Sequence, residues 1–276
     1  MSRLADTFAR LKKEGRSAFV PFVTAGDPDM DTSFAILEKL PAAGADIIEL
    51  GAPFSDPMAD GPAVQASSMR ALKAGMTMSK TLKLVERFRK TDNKTPIVLM
   101  GYYNPIHAYG GARFIKDVAQ AGVDGLIVVD LPIEEEEVLS TPAKAQGVDI
   151  VRFVTPTTDE ARLKRVVDGA SGYLYYVSVA GVTGTKSVPE DEVRAAMARI
   201  RAATDLPVTV GFGIRNAQQA ESIARVADGV VVGSAIVTKV ADNLNAGNDK
   251  IIAEVLELTR SLAGSTHAAR HGKVPA

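Results

Sequence analysis

Two acids in the sequence have neighbours that would alter their chemistry. Glu49 falls in the run Asp46-Ile47-Ile48-Glu49-Leu50-Gly51, where nearly every neighbour is apolar. Burying even a neutral polar group without a partner costs roughly 2–7 kcal/mol, and a buried carboxylate either finds a partner or takes up a proton. Asp60 follows eleven residues later, in a loop rich in Gly, Pro and Asp that ends at Gly61-Pro62. A strand-end acid facing a loop acid suits a two-carboxylate acid–base site, the two roles being divided by environment. The same residues also admit a plain arrangement, with Glu49 turned outward to a Lys or Arg and Asp60 capping a helix near Pro62. The pair alone leaves both open.

The chain has 276 residues, 46% hydrophobic and 24% charged, enough for one large α/β domain or two small ones. A net charge of −1 without a basic run argues against a nucleic-acid or anionic-membrane surface. The absence of Cys excludes disulfides, iron–sulfur clusters, thiolate metal sites and a Cys nucleophile. No apolar run approaches the ~18 residues of a membrane span. The N-terminal stretch lacks the apolar core of a secretory signal, and Asp6 and Glu14 weigh against a transit peptide. A cytoplasmic location is expected. Leu4, Phe8 and Leu11 instead mark a short amphipathic helix.

Positioning the acids takes a repeated element. Stretches of helical periodicity end in Gly, then Asp or a small residue, then an apolar run: 43–51, 121–130, 146–154, 169–177 and 226–233. Gly supplies the left-handed helix end, and the apolar run reads as a buried strand. Runs at 17–26, 95–103 and 206–213 bring the predicted strands to eight. Faces such as Phe34/Leu37/Leu40, Leu82/Val85/Phe88 and Val193/Met197/Ile200 place helices between them. Pro41 and Pro142 should kink or shorten their helices. Glu134–Glu137 reads as a solvated first helical turn, where negative charge meets the macrodipole. Eight strand–helix units predict a single (β/α)8 TIM barrel over residues 1–263, with an N-terminal capping helix and a short extra helix after the eighth strand. Residues 264–276 are expected to form a flexible tail. A doubly wound sheet is disfavoured because no GxGxxG follows the first strand.

In such a barrel the chemistry belongs at the C-terminal strand ends. These ends carry Phe22, Glu49, Met100 with Tyr102, Val129, Phe153, Tyr175, Phe212 with Gly213 and Ile214, and Gly233 with Ser234. The set is aromatic, aliphatic and glycine-rich. Gly-rich turns follow the sixth, seventh and eighth strands, the first of them containing Thr183 and Gly184, and together they read as a phosphate cradle built from backbone N–H groups. His107, His267 and His271 form no strand-end pair, so no metal is expected. No strand-end Lys suggests a Schiff base, and no GxSxG elbow occurs. Carboxylate chemistry on a phosphorylated, partly aromatic substrate remains.

The stretches PFVTAGDP (21–28), DIIELGAPFSDPMADGP (46–62), YYNP (102–105), DGLIVVDLP (124–132), GVTGT (181–185), GFGI (211–214) and VVGSAIV (231–237) closely resemble the tryptophan synthase alpha subunit family, in order and over roughly 3–262. The resemblance implies retro-aldol cleavage of indole-3-glycerol phosphate to indole and glyceraldehyde 3-phosphate, without a cofactor in this chain. It implies Glu49 as proton shuttle with a raised pKa, and Asp60, on a more exposed loop, as an ionised acceptor for the indole N–H. Tyr175 would hydrogen-bond Glu49, orient the substrate, or simply pack. Phe22, Met100, Val129, Phe153 and Phe212 would line the indole slot, and Gly184, Gly213, Gly233 and Ser234 would hold the phosphate. The loop 180–188 has the composition of a lid, from which Thr183 would reach Asp60. The family also implies a pyridoxal-phosphate (PLP) beta subunit in an alpha2beta2 complex, with Pro53, Asp56, Pro57, Asn104 and Pro132 as candidate contacts. Two rivals stand beside this: another phosphate-binding barrel isomerase or synthase, and a non-catalytic barrel that activates a partner.

Overall fold

The computed structural model describes residues 2–178, 189–211 and 213–270. Among these, the strands are β1 (Ala18–Thr24), β2 (Ile48–Gly51), β3 (Ile97–Gly101), β4 (Gly125–Val128), β5 (Asp149–Ile150), β6 (Arg152–Val154), β7 (Leu174–Val177), β8 (Val208–Gly211) and β9 (Gly229–Val232). The helices of the first half are α1 (Arg3–Glu14), α2 (Met30–Lys39), α3 (Pro62–Lys73), α4 (Met78–Arg89), α5 (Tyr103–Tyr109) and α6 (Gly111–Ala121). Those of the second half are α7 (Glu137–Ala145), α8 (Glu160–Val167), α9 (Glu190–Arg201), α10 (Ala217–Ala224), α11 (Ser234–Asp242) and α12 (Asn248–Ala268).

All strand pairings are parallel, in the order β5-β4-β3-β2-β1-β9-β8-β7-β6. The predicted fifth strand, 146–154, is divided at Val151, whose N–H donates to Leu126 O at 3.0 Å across to β4. β5 pairs with β4 while β6 pairs with β7, so this one divided strand brings the two ends of the sheet together. The expected (β/α)8 barrel is therefore present, with its fifth strand counted twice.

Alternation along the strands sorts their side chains into two layers. Phe19, Ile48, Leu50, Ile97, Leu99, Leu174 and Tyr176 face outward into the layer shared with the helices. Val20, Ile47, Val98, Ile127, Val151, Tyr173, Tyr175 and Val231 form the barrel interior, together with Leu4, Phe8 and Leu11 of α1. The N-terminal amphipathic helix thus plugs the barrel floor. Ser2 caps it by accepting from Ala5 N–H, and left-handed Gly15 (φ 66°) ends it.

His107 lies in the helix α5. Pro41 directly follows Leu40, the cap of α2, and so stops that helix short, while Pro142 lies inside the nine-residue α7. Two local expectations need correction. Glu136 is not solvated: it is buried and held by Arg152 at 2.7 Å. The terminal helix continues past Leu262 to Ala268 because Leu262, Ala263 and Thr266 are buried and His267 reaches Asp46 at 2.8 Å. Only 271–276 of the expected tail lie outside the described residues.

Candidate active site

Glu49 belongs to the inward set of β2, beside Phe22 of β1 and Val98 of β3 in register. It is 1% exposed. The Tyr173 hydroxyl, one residue before β7, donates to Glu49 Oε1 at 2.8 Å. Oε2 is buried with no partner among the described residues. Burial pushes the Glu49 pKa up to about 8, against the smaller opposing effect of the Tyr173 bond. With Tyr173 donating to Oε1, the proton of the neutral acid belongs on Oε2. Glu49 therefore does not turn outward to a cation.

Asp60 is half-buried rather than freely exposed. Burial pushes its pKa up to about 6, while a hydrogen bond with the Tyr102 hydroxyl works in the other direction. The same hydroxyl accepts from Ala59 N–H at 3.1 Å, and the Tyr102 ring packs on Phe54 with centroids 5.2 Å apart. Tyr102 thus ties the acidic loop to the end of β3. The cap of α3 is Gly61, with no side-chain bond, so Asp60 is not engaged in capping.

Both acids line one cavity of about 670 Å³, continuous with solvent, together with Phe22, Val64, Met100 and Tyr175. Gly213, Ile214, Arg215, Gly233 and Ser234 also line it. Two strand-end glycines make room for its aromatic wall. A Cβ on Gly51 would lie 2.5 Å from Phe22 Cζ, and one on Gly211 would lie 1.9 Å from Tyr175 Oη. Gly233 begins α11, and its carbonyl accepts from Ile236 and Val237 N–H at 2.9 and 3.1 Å. The earlier N–H groups at this end fall outside the helical ladder and suit an oxyanion. Among the described residues no group of three or more His, Asp or Glu could hold a metal ion.

Two acids of unequal, raised pKa, apolar and aromatic side chains and two glycine turns share one barrel mouth. The family model for the tryptophan synthase alpha chain matches residues 8–267. The chain belongs to the tryptophan synthase alpha chain family. Its fold is similar to tryptophan synthase subunit alpha from Legionella pneumophila str. Paris, at 37% identity and a TM-score of 0.90, covering 96% of this chain and 98% of that one. It is likewise similar to a chain of Mycobacterium tuberculosis tryptophan synthase, at 35% identity and a TM-score of 0.86, covering 96% and 98%. An Aquifex aeolicus VF5 structure matches at 36% identity and a TM-score of 0.88, covering 97% and 100%.

Of the residues expected from sequence, Glu49, Asp60, Tyr175, Phe22, Met100, Gly213, Ile214, Gly233 and Ser234 come together in the cavity. Tyr102 stands behind Asp60. Val129 and Phe153 line a separate cavity beside Glu136 and Arg152, and Phe153 meets this one through its edge contact with Tyr175, ring centroids 5.3 Å apart. Thr183, Gly184, Phe212 and the proposed lid lie outside the described residues. Of the candidate contacts in this alpha-chain barrel, Asp56, Asn104 and Pro132 are exposed and Pro53 is half-buried. Pro57 is buried within the chain and so does not fit that role.

The expected hydrogen bond from Tyr175 to Glu49 is made by Tyr173 instead. The two tyrosines lie two residues apart on the same inward face, so alternation could have raised Tyr173 as the deeper candidate. Val64 and Arg215 were also missed. They sit one turn into α3 and beyond a glycine turn, where strand periodicity gives no signal.

Proposed function

We propose that Glu49 and Asp60 divide the proton chemistry of the family's reaction in this chain. That reaction cleaves indole-3-glycerol phosphate to indole and glyceraldehyde 3-phosphate. The bond between indole C3 and the glycerol side chain breaks, C3 gains a proton, and the side-chain hydroxyl loses one as it becomes the aldehyde. Glu49 Oε2 gives its proton to C3, and the resulting carboxylate takes the proton from the hydroxyl, which restores the neutral acid. Asp60, the stronger acid, is largely ionised near neutral pH and accepts from the indole N–H as positive charge develops on the ring. Phe22, Met100 and Tyr175 hold the ring, while the backbone at Gly213, Gly233 and Ser234 holds the phosphate.

What carries this reading is the placement of Glu49, a buried acid whose pKa burial raises to about 8, in the lining of the cavity that Asp60 also lines. Two carboxylates balance every proton in the step, so we assign no cofactor to this chain. Indole then passes to a PLP-containing beta subunit in an alpha2beta2 complex, with Pro53, Asp56, Asn104 and Pro132 as contacts on the barrel mouth. A cytoplasmic setting accords with this metabolism, and among the described residues no helix is long and apolar enough to cross a membrane. The test is to incubate the purified chain with indole-3-glycerol phosphate, alone and with a beta subunit, and to measure indole. Release in either condition is expected. Its absence from both would overturn the assignment and favour a non-catalytic barrel.

A further inference from the structure

Among the described residues, Arg215 is the only basic side chain lining the cavity that contains Glu49 and Asp60. Its backbone is fixed: Arg215 N–H donates to Gln219 Oε1 at 2.8 Å, and Asn216 caps α10 by accepting from Gln219 N–H at 3.0 Å. The side chain is exposed, and no described residue pairs with its guanidinium. Other arginines of the chain have carboxylate partners, among them Arg16 on Asp46, Arg70 on Asp27 and Arg152 on Glu136. Arg215 therefore stands as an uncompensated cation next to Gly213, Gly233 and Ser234, in a cavity that two acids also line.

From this placement we infer that Arg215 is a specificity-determining residue for the phosphate of the substrate, an inference that rests on the function proposed above. Backbone N–H groups accept any oxyanion of suitable size, whereas a guanidinium selects for charge and matches two phosphate oxygens at once. The need for it is electrostatic. A dianionic substrate entering beside the ionised Asp60 is repelled, and a cation at the mouth offsets that repulsion and raises the local substrate concentration.

The test compares Arg215→Gln and Arg215→Lys with the natural chain, in complex with a beta subunit, at low and high ionic strength. Arg215→Gln is expected to raise KM for indole-3-glycerol phosphate roughly three- to tenfold at low salt, with kcat/KM falling in proportion and kcat within about twofold. High salt should narrow the difference, because it screens a charge at an open mouth. Arg215→Lys should recover part of the loss. Inorganic phosphate binding, read by calorimetry, should weaken by the same factor in Arg215→Gln. Cleavage of the dephosphorylated analogue, indole glycerol, should not change. Equal KM and equal phosphate affinity in Arg215→Gln at low salt would overturn the inference, as would a comparable loss on indole glycerol. If the natural chain fails to cleave the substrate at all, the functional reading fails, and the phosphate titration still decides the role of Arg215.

Discussion

Glu49 takes its behaviour from its surroundings: one oxygen is bound by Tyr173, and among the described residues the other has no partner and no cation holds the ionised form. Its pKa rises from an ordinary 4.5 to about 8. Between those values the folded chain keeps a proton that the unfolded chain releases, so stability falls as pH rises through this window and levels off above it. Glu49→Gln removes that penalty. Relative to the natural chain, its melting temperature should gain little near about pH 5 and distinctly more near about pH 8. An equal difference at both would show that Glu49 titrates normally. Tyr173→Phe removes the one bond among the described residues that favours the carboxylate. It should cost about 1–2 kcal/mol in denaturant titration and move the alkaline limb of indole release to higher pH. A limb that stays in place would mean that Tyr173 does not act on Glu49. The anomaly of an acid in an apolar strand was legible in the sequence. Its partner was not, because Tyr173 and Tyr175 share one face and only depth within the barrel separates them.

At the scale of elements, the site depends on strands that end in glycine. Gly51 closes β2 under Phe22, and Gly211 closes β8 under Tyr175. Gly211→Ala would place its methyl 1.9 Å from the Tyr175 hydroxyl, so the ring must leave the cavity wall. The expected outcome is a destabilisation of about 1–3 kcal/mol and a marked loss of indole release. Activity close to that of the natural chain would show that Tyr175 can be displaced without harm. The strand–helix repeat and the plugging face of α1 could be read from periodicity, since both follow from which positions must be apolar. The break at Val151 and the helix α5 could not. Strands β5 and β6 read as one strand because no turn residue separates them, and α5 begins in aromatic residues beside Pro105 that also suit a turn.

Across the whole molecule, aspartates that stand just before strands have a structural use. Asp46, Asp124 and Asp228 each precede a strand and accept from the N–H of Phe19, Ile97 and Val208 on neighbouring strands. Each also binds arginine: Arg16, Arg89 and Arg201 respectively. These aspartates were visible in the sequence, but their purpose was hidden because the arginines come from distant helices and loops. These pairs brace the N-terminal end of the barrel, away from the chemistry. Burial would raise the Asp46 pKa, but bonds with His267, Arg16 and Phe19 N–H outweigh it and hold it at about 2. Its stabilising contribution is therefore present above about 3.8 and is lost as pH falls toward about 2. Asp46→Asn should cost about 3–5 kcal/mol at neutral pH by removing the buried carboxylate that Arg16 and His267 share, with kcat preserved at permissive temperature. A fall in kcat without a fall in stability would contradict this separation of bracing from catalysis.

The proposed mechanism sets a buried, neutral Glu49 beside an ionised Asp60. The pH profile of indole release from indole-3-glycerol phosphate, measured for the natural chain and Glu49→Gln together, tests that pairing. A bell is expected for the natural chain, with limbs near about 6 and about 8, and a loss of roughly 10²–10⁴-fold in Glu49→Gln at every pH. A profile flat across that range, or a Glu49→Gln chain that releases indole at the natural rate, would contradict it.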